Sequence, residues 1–106
     1  MATRPQGTKY RTVSASTLIM TGIGNLYSVS INWRGVTAGN RILFHDGTNS
    51  SGTVIEEIIL NDANSVNPLI IPLPAVGKEF GTGLYVNLGG LSGGEVNVSI
   101  GYDGNG

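Results

Sequence analysis

The chain has 106 residues, 17 of them glycine, with 12% charged side chains, no cysteine, one histidine and a formal net charge of −1. That length carries one core, which buries somewhat over ~60% of the surface the unfolded chain exposes, and the absence of cysteine excludes a disulfide framework and a thiolate zinc site. A hydrophobic content of 40% with clear periodicity argues against disorder, and no segment approaches the ~20 apolar residues of a membrane span.

Residues 1–8 open with Met-Ala-Thr-Arg-Pro-Gln-Gly, which has neither periodicity nor an apolar run. They read as an extended N-terminal arm with no mark of secretion, followed by a single domain over 9–106. Residues 9–14 extend into a first strand with Tyr10, Thr12 and Ser14 on one face and Arg11 and Val13 on the other. Residues 17–21 form a short apolar strand closed by Gly22-Ile23-Gly24. Residues 26–34 then alternate strictly, placing Tyr27, Val29, Ile31 and Trp33 inward against Ser28, Ser30 and Asn32.

A turn over 35–40 leads to a strand at 41–45 in which Ile42 and Phe44 share a face, and Asp46 to Gly52 supplies the glycine, asparagine and serine of a loop. Residues 53–60 alternate imperfectly. Their shortness, β-branched side chains and flanking turns favour a strand over two helical turns. The apolar run at 68–74 is interrupted by Pro68, Pro72 and Pro74; a proline donates no ladder hydrogen bond, so this piece suits a sheet edge or a strand that changes sheets. Leu84, Val86 and Leu88 share one face of a strand at 83–88. After a glycine-rich turn, Val96, Val98, Ile100 and Tyr102 share one face of the last strand. Seven or eight short strands with regular turns and no convincing helix predict an all-β antiparallel sandwich or barrel, with a jelly-roll-like sandwich the favoured topology.

The charges are unevenly spread. Up to His45 they are Arg4, Lys9, Arg11, Arg34 and Arg41; from Asp46 onward seven acids stand against Lys78. Folding either mixes these in space or leaves a bipolar surface that orients copies against neighbours. Arg4, Lys9 and Arg11 are too few for a nucleic-acid footprint, and no aromatics interleave with them as a single-strand binding face requires.

Few groups could support catalysis. The one imidazole, His45, lies between Phe44 and Asp46 and has no nucleophile placed beside it by strand geometry. Glu56 and Glu57 are adjacent on a strand and therefore point to opposite faces, which removes them as an acid–base pair. Gly22-Ile23-Gly24 precedes a strand, whereas a phosphate cradle needs a helix N-terminus. The loop at Asp46 to Asn49 and the tail at Asp103 to Asn105 lack an EF-hand's spacing. The chain is therefore expected to be no enzyme and to hold no metal or cofactor. Tyr10 and Tyr85 share faces with polar residues, which makes them candidate contact aromatics.

The runs Gly24-Asn-Leu-Tyr-Ser-Val-Ser-Ile, Arg41-Ile-Leu-Phe-His-Asp-Gly-Thr-Asn-Ser-Ser-Gly-Thr-Val-Ile, Phe80-Gly-Thr-Gly-Leu-Tyr-Val and Glu95-Val-Asn-Val-Ser-Ile-Gly-Tyr, in that order, resemble a pattern frequent in small β-sandwich virion proteins of tailed bacteriophages. The resemblance covers 22–102. It implies a capsid cement, or decoration, protein on the outside of the head shell that is made in the host cytoplasm, links neighbouring major capsid subunits and forms a homo-oligomer, dimer or trimer. Neither nucleic acid nor membrane is expected as a direct partner. The resemblance brings no catalytic or contact residues; the basic and aromatic character of Arg4, Lys9, Tyr10, Arg11 and Tyr85 makes them the expected partner-interface residues. Tail, fibre or baseplate modules and carbohydrate-binding sandwiches are the alternative readings.

Overall fold

Alternating side chains force a strand to bury one face and solvate the other, and Glu95–Gly104 shows the consequence: Val96, Val98, Ile100 and Tyr102 are buried while Asn97 is exposed. The computed structural model describes residues 9–65 and 67–104. Nine strands are formed among the described residues: β1 Lys9–Val13, β2 Thr17–Thr21, β3 Gly24–Arg34, β4 Asn40–Asp46, β5 Thr53–Leu60, β6 Leu69–Ile71, β7 Lys78–Phe80, β8 Gly83–Asn87 and β9 Glu95–Gly104. They build two antiparallel sheets, one ordered β1-β9-β3-β6 with β7 beside β6 on the same flank of β3, the other ordered β2-β8-β4-β5. The expected all-β sandwich is therefore the fold. The arm expected over 1–8 lies outside the described residues.

The pairing has a simple logic. The first strand pairs with the last, the second with the last but one, β3 with β6 and β7, and β4 with β5, as if one long hairpin had been rolled up. Two lateral pairings, β3 with β9 and β4 with β8, complete the sheets. Between the layers lies a single apolar core in which Leu26, Ile31, Ile42, Phe44, Leu60, Phe80, Leu84, Val86 and Val98 have no exposed surface. Leu69–Ile71, bounded by its prolines, is an edge strand that pairs with β3 alone, as a segment poor in donors must be.

Two expected core aromatics are placed differently. Opposite β9, the register of β3 slips between Leu26 and Ser28, so Tyr27 is the extra residue of a β-bulge. The slip turns Leu26 fully inward and leaves Tyr27 half-buried, its ring against Gly77 and its hydroxyl donating to Asp103 Oδ2 at 3.1 Å. That hydrogen bond, then burial, then the Asp103 charge raise the Tyr27 pKa. Trp33 packs on the core's margin, half-buried. Its indole N–H donates to Asp62 O at 2.7 Å, and its backbone exchanges hydrogen bonds with Ser65, so the loop after β5 is held along the end of β3.

Folding also mixes part of the sequence's separated charge, bringing Arg34 and Arg41 to acids from the later part of the chain. Arg34 pairs with Glu95 and Arg41 with Glu57, both at exposed positions. Lys78, on β7, reaches across the open side of the sandwich to Glu56 on β5 at 2.9 Å, with Glu56 mostly covered. This ion pair joins the two sheets where no backbone bond does.

Candidate functional site

In β1, Lys9, Tyr10, Arg11 and Thr12 are all exposed and only Val13 is buried. The register explains the split. Lys9, Arg11 and Val13 stand opposite Tyr102, Ile100 and Val98, on the core side of the sheet, while Tyr10 and Thr12 stand opposite Gly101 and Ser99 on the outer side. Among the described residues the strand pairs only with β9, and none of them takes up the backbone N–H and C=O groups of its other edge. Lys9 and Arg11 thus sit at the rim of the core without reaching its covered part, and neither forms an ion pair among the described residues.

Tyr10 is 78% exposed. Its ring lies over Gly101, where a Cβ would meet it at 3.0 Å, so the absence of a side chain at Gly101 provides the seat. Beside it Thr12 and Ser99 share a hydrogen bond at 3.1 Å, and Ser30 stands opposite Ser99, continuing a hydroxyl-bearing outer face. Of the five residues expected at an interface, Lys9, Tyr10 and Arg11 occupy this edge. Arg4 lies outside the described residues, and Tyr85 lies on the outer face of the other sheet.

There Tyr85 stands in a row across all four strands: Leu18 on β2, Tyr85 on β8, His45 on β4 and Val54 on β5. His45 is buried although it points away from the core. Its bonding is fixed by elimination. Asn87 Oδ1 accepts from the Gly89 N–H, so Asn87 Nδ2 is the donor to His45 Nε2 at 3.2 Å, and His45 Nδ1–H donates to Gly52 O at 2.9 Å. Both ring nitrogens of this tautomer are engaged. They tie the loop after β4 to the turn after β8.

Asp46, the next residue, serves as a staple. Its carboxylate accepts from the backbone N–H groups of Gly81, Thr82 and Gly83, at 3.0, 2.8 and 3.4 Å. Partial burial by itself raises its pKa, but the three donors outweigh it and the net shift is downward. A depressed folded pKa contributes stability that is present above the ordinary carboxylate range near ~4 and is lost as pH falls through the folded value. Asp46→Asn is accordingly expected to lower the unfolding free energy at pH 7 by about 1.5–3 kcal/mol, with the difference from the parent shrinking in acid. Thermal melts of both proteins from neutral pH down to about pH 2 check this; a gap that stays constant would refute it.

Glu56 and Glu57 point to opposite faces as expected, one toward Lys78 between the sheets and the other toward Arg41 outside. Gly22 and Gly24 lead into a strand. Among the described residues no group of three His, Cys, Asp or Glu side chains could hold a metal ion.

The sequence reading missed the apolar surface around Tyr85. Leu18, Val54 and Ile59 are 38%, 47% and 46% exposed, and the imperfect alternation of β5, with apolar residues on both faces, was the available sign. No protein-family model, curated protein or solved structure matches the chain.

Proposed function

We propose that this chain is a capsid cement protein of a tailed bacteriophage, made in the host cytoplasm and seated on the outside of the head shell, where it links neighbouring major capsid subunits. The observation that carries the reading is the β1 edge, open among the described residues: four exposed residues in succession, two cations that form no ion pair with any described residue, and an exposed aromatic. Lys9 and Arg11 on the core side of an edge strand repel the same edge of another copy. They suit a partner strand or surface that brings carboxylates, with the backbone edge adding to its sheet. Residues 1–8, with Arg4, continue this basic segment in sequence and belong to the same proposed contact.

The strand order also supports the reading. Pairing of first with last strand inward to β4 with β5 supports a jelly-roll-like reading of the sandwich, an architecture found in viral capsid and lectin domains; this is support by analogy of fold. The mechanism is mechanical. A two-layer body locked by Phe44, Leu26 and their neighbours transmits load without deforming. Contacts of ~800 Å² per partner, repeated over several subunits, add avidity through effective concentration. No bond is made or broken in any partner.

Binding to purified empty shells tests this. The parent protein is expected to saturate sites on the shell, and Lys9→Glu with Arg11→Glu to reduce occupancy by ~10-fold or more, as two lost charge contacts require. Unchanged occupancy of the variant would remove the β1 edge from the account, and absence of parent binding would remove the cement reading. Tyr10 on its hydroxyl-bearing face also fits a carbohydrate platform; retention on a glycan array, lost in Tyr10→Ala, would favour that second reading.

A further inference from the structure

The two outer faces of a sandwich are ordinarily both polar, because each meets water. Here they differ. The outer face of the β1-β9-β3-β6 sheet carries Ser28, Ser30, Asn32, Asn97 and Ser99 on its two inner strands, and its exposed apolar side chains, Tyr10 and Ile70, stand on the edge strands β1 and β6. The outer face of the β2-β8-β4-β5 sheet instead carries Leu18, Leu43, Val54, Ile59 and Tyr85 around the buried His45. Leu18, Val54 and Ile59 expose more than a third of their surface. Apolar side chains thus occur on all four strands of this face, with the Arg41–Glu57 pair lying between Ile59 and Val54, and a surface of this kind marks an interface.

We infer that this face is the interface of an isologous homodimer, in which two copies pack their β2-β8-β4-β5 sheets against one another about a two-fold axis. Two observations select a second copy as the occupant. The first is charge complementarity. The face carries one cation and one anion, Arg41 and Glu57, 2.9 Å apart on neighbouring strands, so it has no net charge with which to attract a strongly charged partner. A two-fold axis passing close to this pair would place each Arg41 by the other copy's Glu57, so that the four charges alternate in sign. The second is area. The body measures 45 × 29 × 19 Å, so a broad face of the sandwich offers the ~800 Å² per partner that a stable dimer needs, with the exposed apolar side chains interdigitating at the ~10 Å spacing of stacked sheets.

The arrangement leaves the β1 edge on the other sheet of each copy open. A dimer therefore presents two such edges, which is how one molecule could reach two shell subunits. The dimer itself requires nothing of the shell. Failure of shell binding with dimerisation intact would defeat the proposed function and leave this inference standing.

Sedimentation equilibrium of the full chain tests it. The expected result is twice the 11.0 kDa chain mass for the parent. Val54→Lys with Ile59→Lys, both at exposed positions, is expected to weaken the dimer by ~100-fold or more, as the loss of two buried apolar anchors implies, with an unchanged circular dichroism spectrum. Arg41→Glu alone is expected to weaken association and Arg41→Glu with Glu57→Arg to restore it, which separates an interface from a folding defect should the lysine variant not fold. A monomeric parent, a trimer, whose interfaces cannot be isologous, or a dimer indifferent to the lysines would each overturn the inference.

Discussion

Phe44→Ala is expected to lower the unfolding free energy by about 3–5 kcal/mol, a large share of the ~5–15 kcal/mol that holds a small domain folded. Phe44 is fully buried in the middle of β4, in register with Val86 on β8 and Glu56 on β5. Its ring belongs to the layer between the sheets. Truncation removes the transfer free energy of the ring and leaves a cavity that hydrogen-bonded strands on both sides cannot close. Urea unfolding measures the effect: the midpoint should fall with the slope unchanged, while Tyr10→Ala, at an exposed edge, should move stability by less than ~0.5 kcal/mol. A loss below about 1 kcal/mol for Phe44→Ala would mean that the two sheets do not meet at this residue.

Gly24→Ala tests a closer tolerance with a single methyl group. Gly24 has no positive φ, so glycine is not required there for its backbone freedom. The reason is proximity. Gly24 pairs with Phe80 on one side and Gly104 on the other, and a Cβ would collide with the backbone carbonyl of Asp103 and approach the Phe80 ring to 2.7 Å. Fewer unfolded conformations would make the alanine form more stable by ~0.4–1 kcal/mol. The collision reverses the sign, and a net destabilisation of about 2–3 kcal/mol is expected. Gly81→Ala is the matched control, because a Cβ there meets only Asp46 Oδ2, at 3.9 Å, and should be near neutral. Equal effects from both alanines in denaturant unfolding would show that β7 does not close over Gly24.

Where a segment obeys one period over its whole length, the sequence already contains the answer. Val96 to Tyr102 and Leu84 to Leu88 alternate without interruption, and their buried faces are those the pattern predicts. The opposed directions of Glu56 and Glu57 follow from the same period. Period reasoning fails where one residue is inserted. At Tyr27 the bulge shifts the face, so the pattern that placed Tyr27 inside places Leu26 there instead, and nothing in the local composition marks the insertion. His45 is buried on a solvent face because the adjoining Asp46 to Gly52 loop and Asn87, 42 residues further along the chain, fold over it. The short strand Lys78–Phe80 has too few residues to display a period at all. The division of charge along the chain left open whether the charges mix in space, and cross-strand register, which pairs Arg34 with Glu95 and Arg41 with Glu57, decides it for those four residues.

The candidate surfaces divide similarly. Lys9, Tyr10 and Arg11 were legible as an exposed basic and aromatic segment, and their places on an open edge follow from the pairing of β1 with β9. Tyr85 was legible as an aromatic on a strand face not given to the core, but Leu18, Val54 and Ile59, on the same face of the sheet, come from two other strands and join it only once the sheet exists.

The central claim is that the molecule works by attachment through the β1 edge to the outside of a phage head. An image reconstruction of the intact virion at a resolution that separates strands tests it most directly. The account predicts two-layer density of this sandwich repeated over the outer shell, with Lys9 and Arg11 turned toward a major capsid subunit. Density confined to the tail, or a sandwich whose β1 edge faces open solvent, would contradict it.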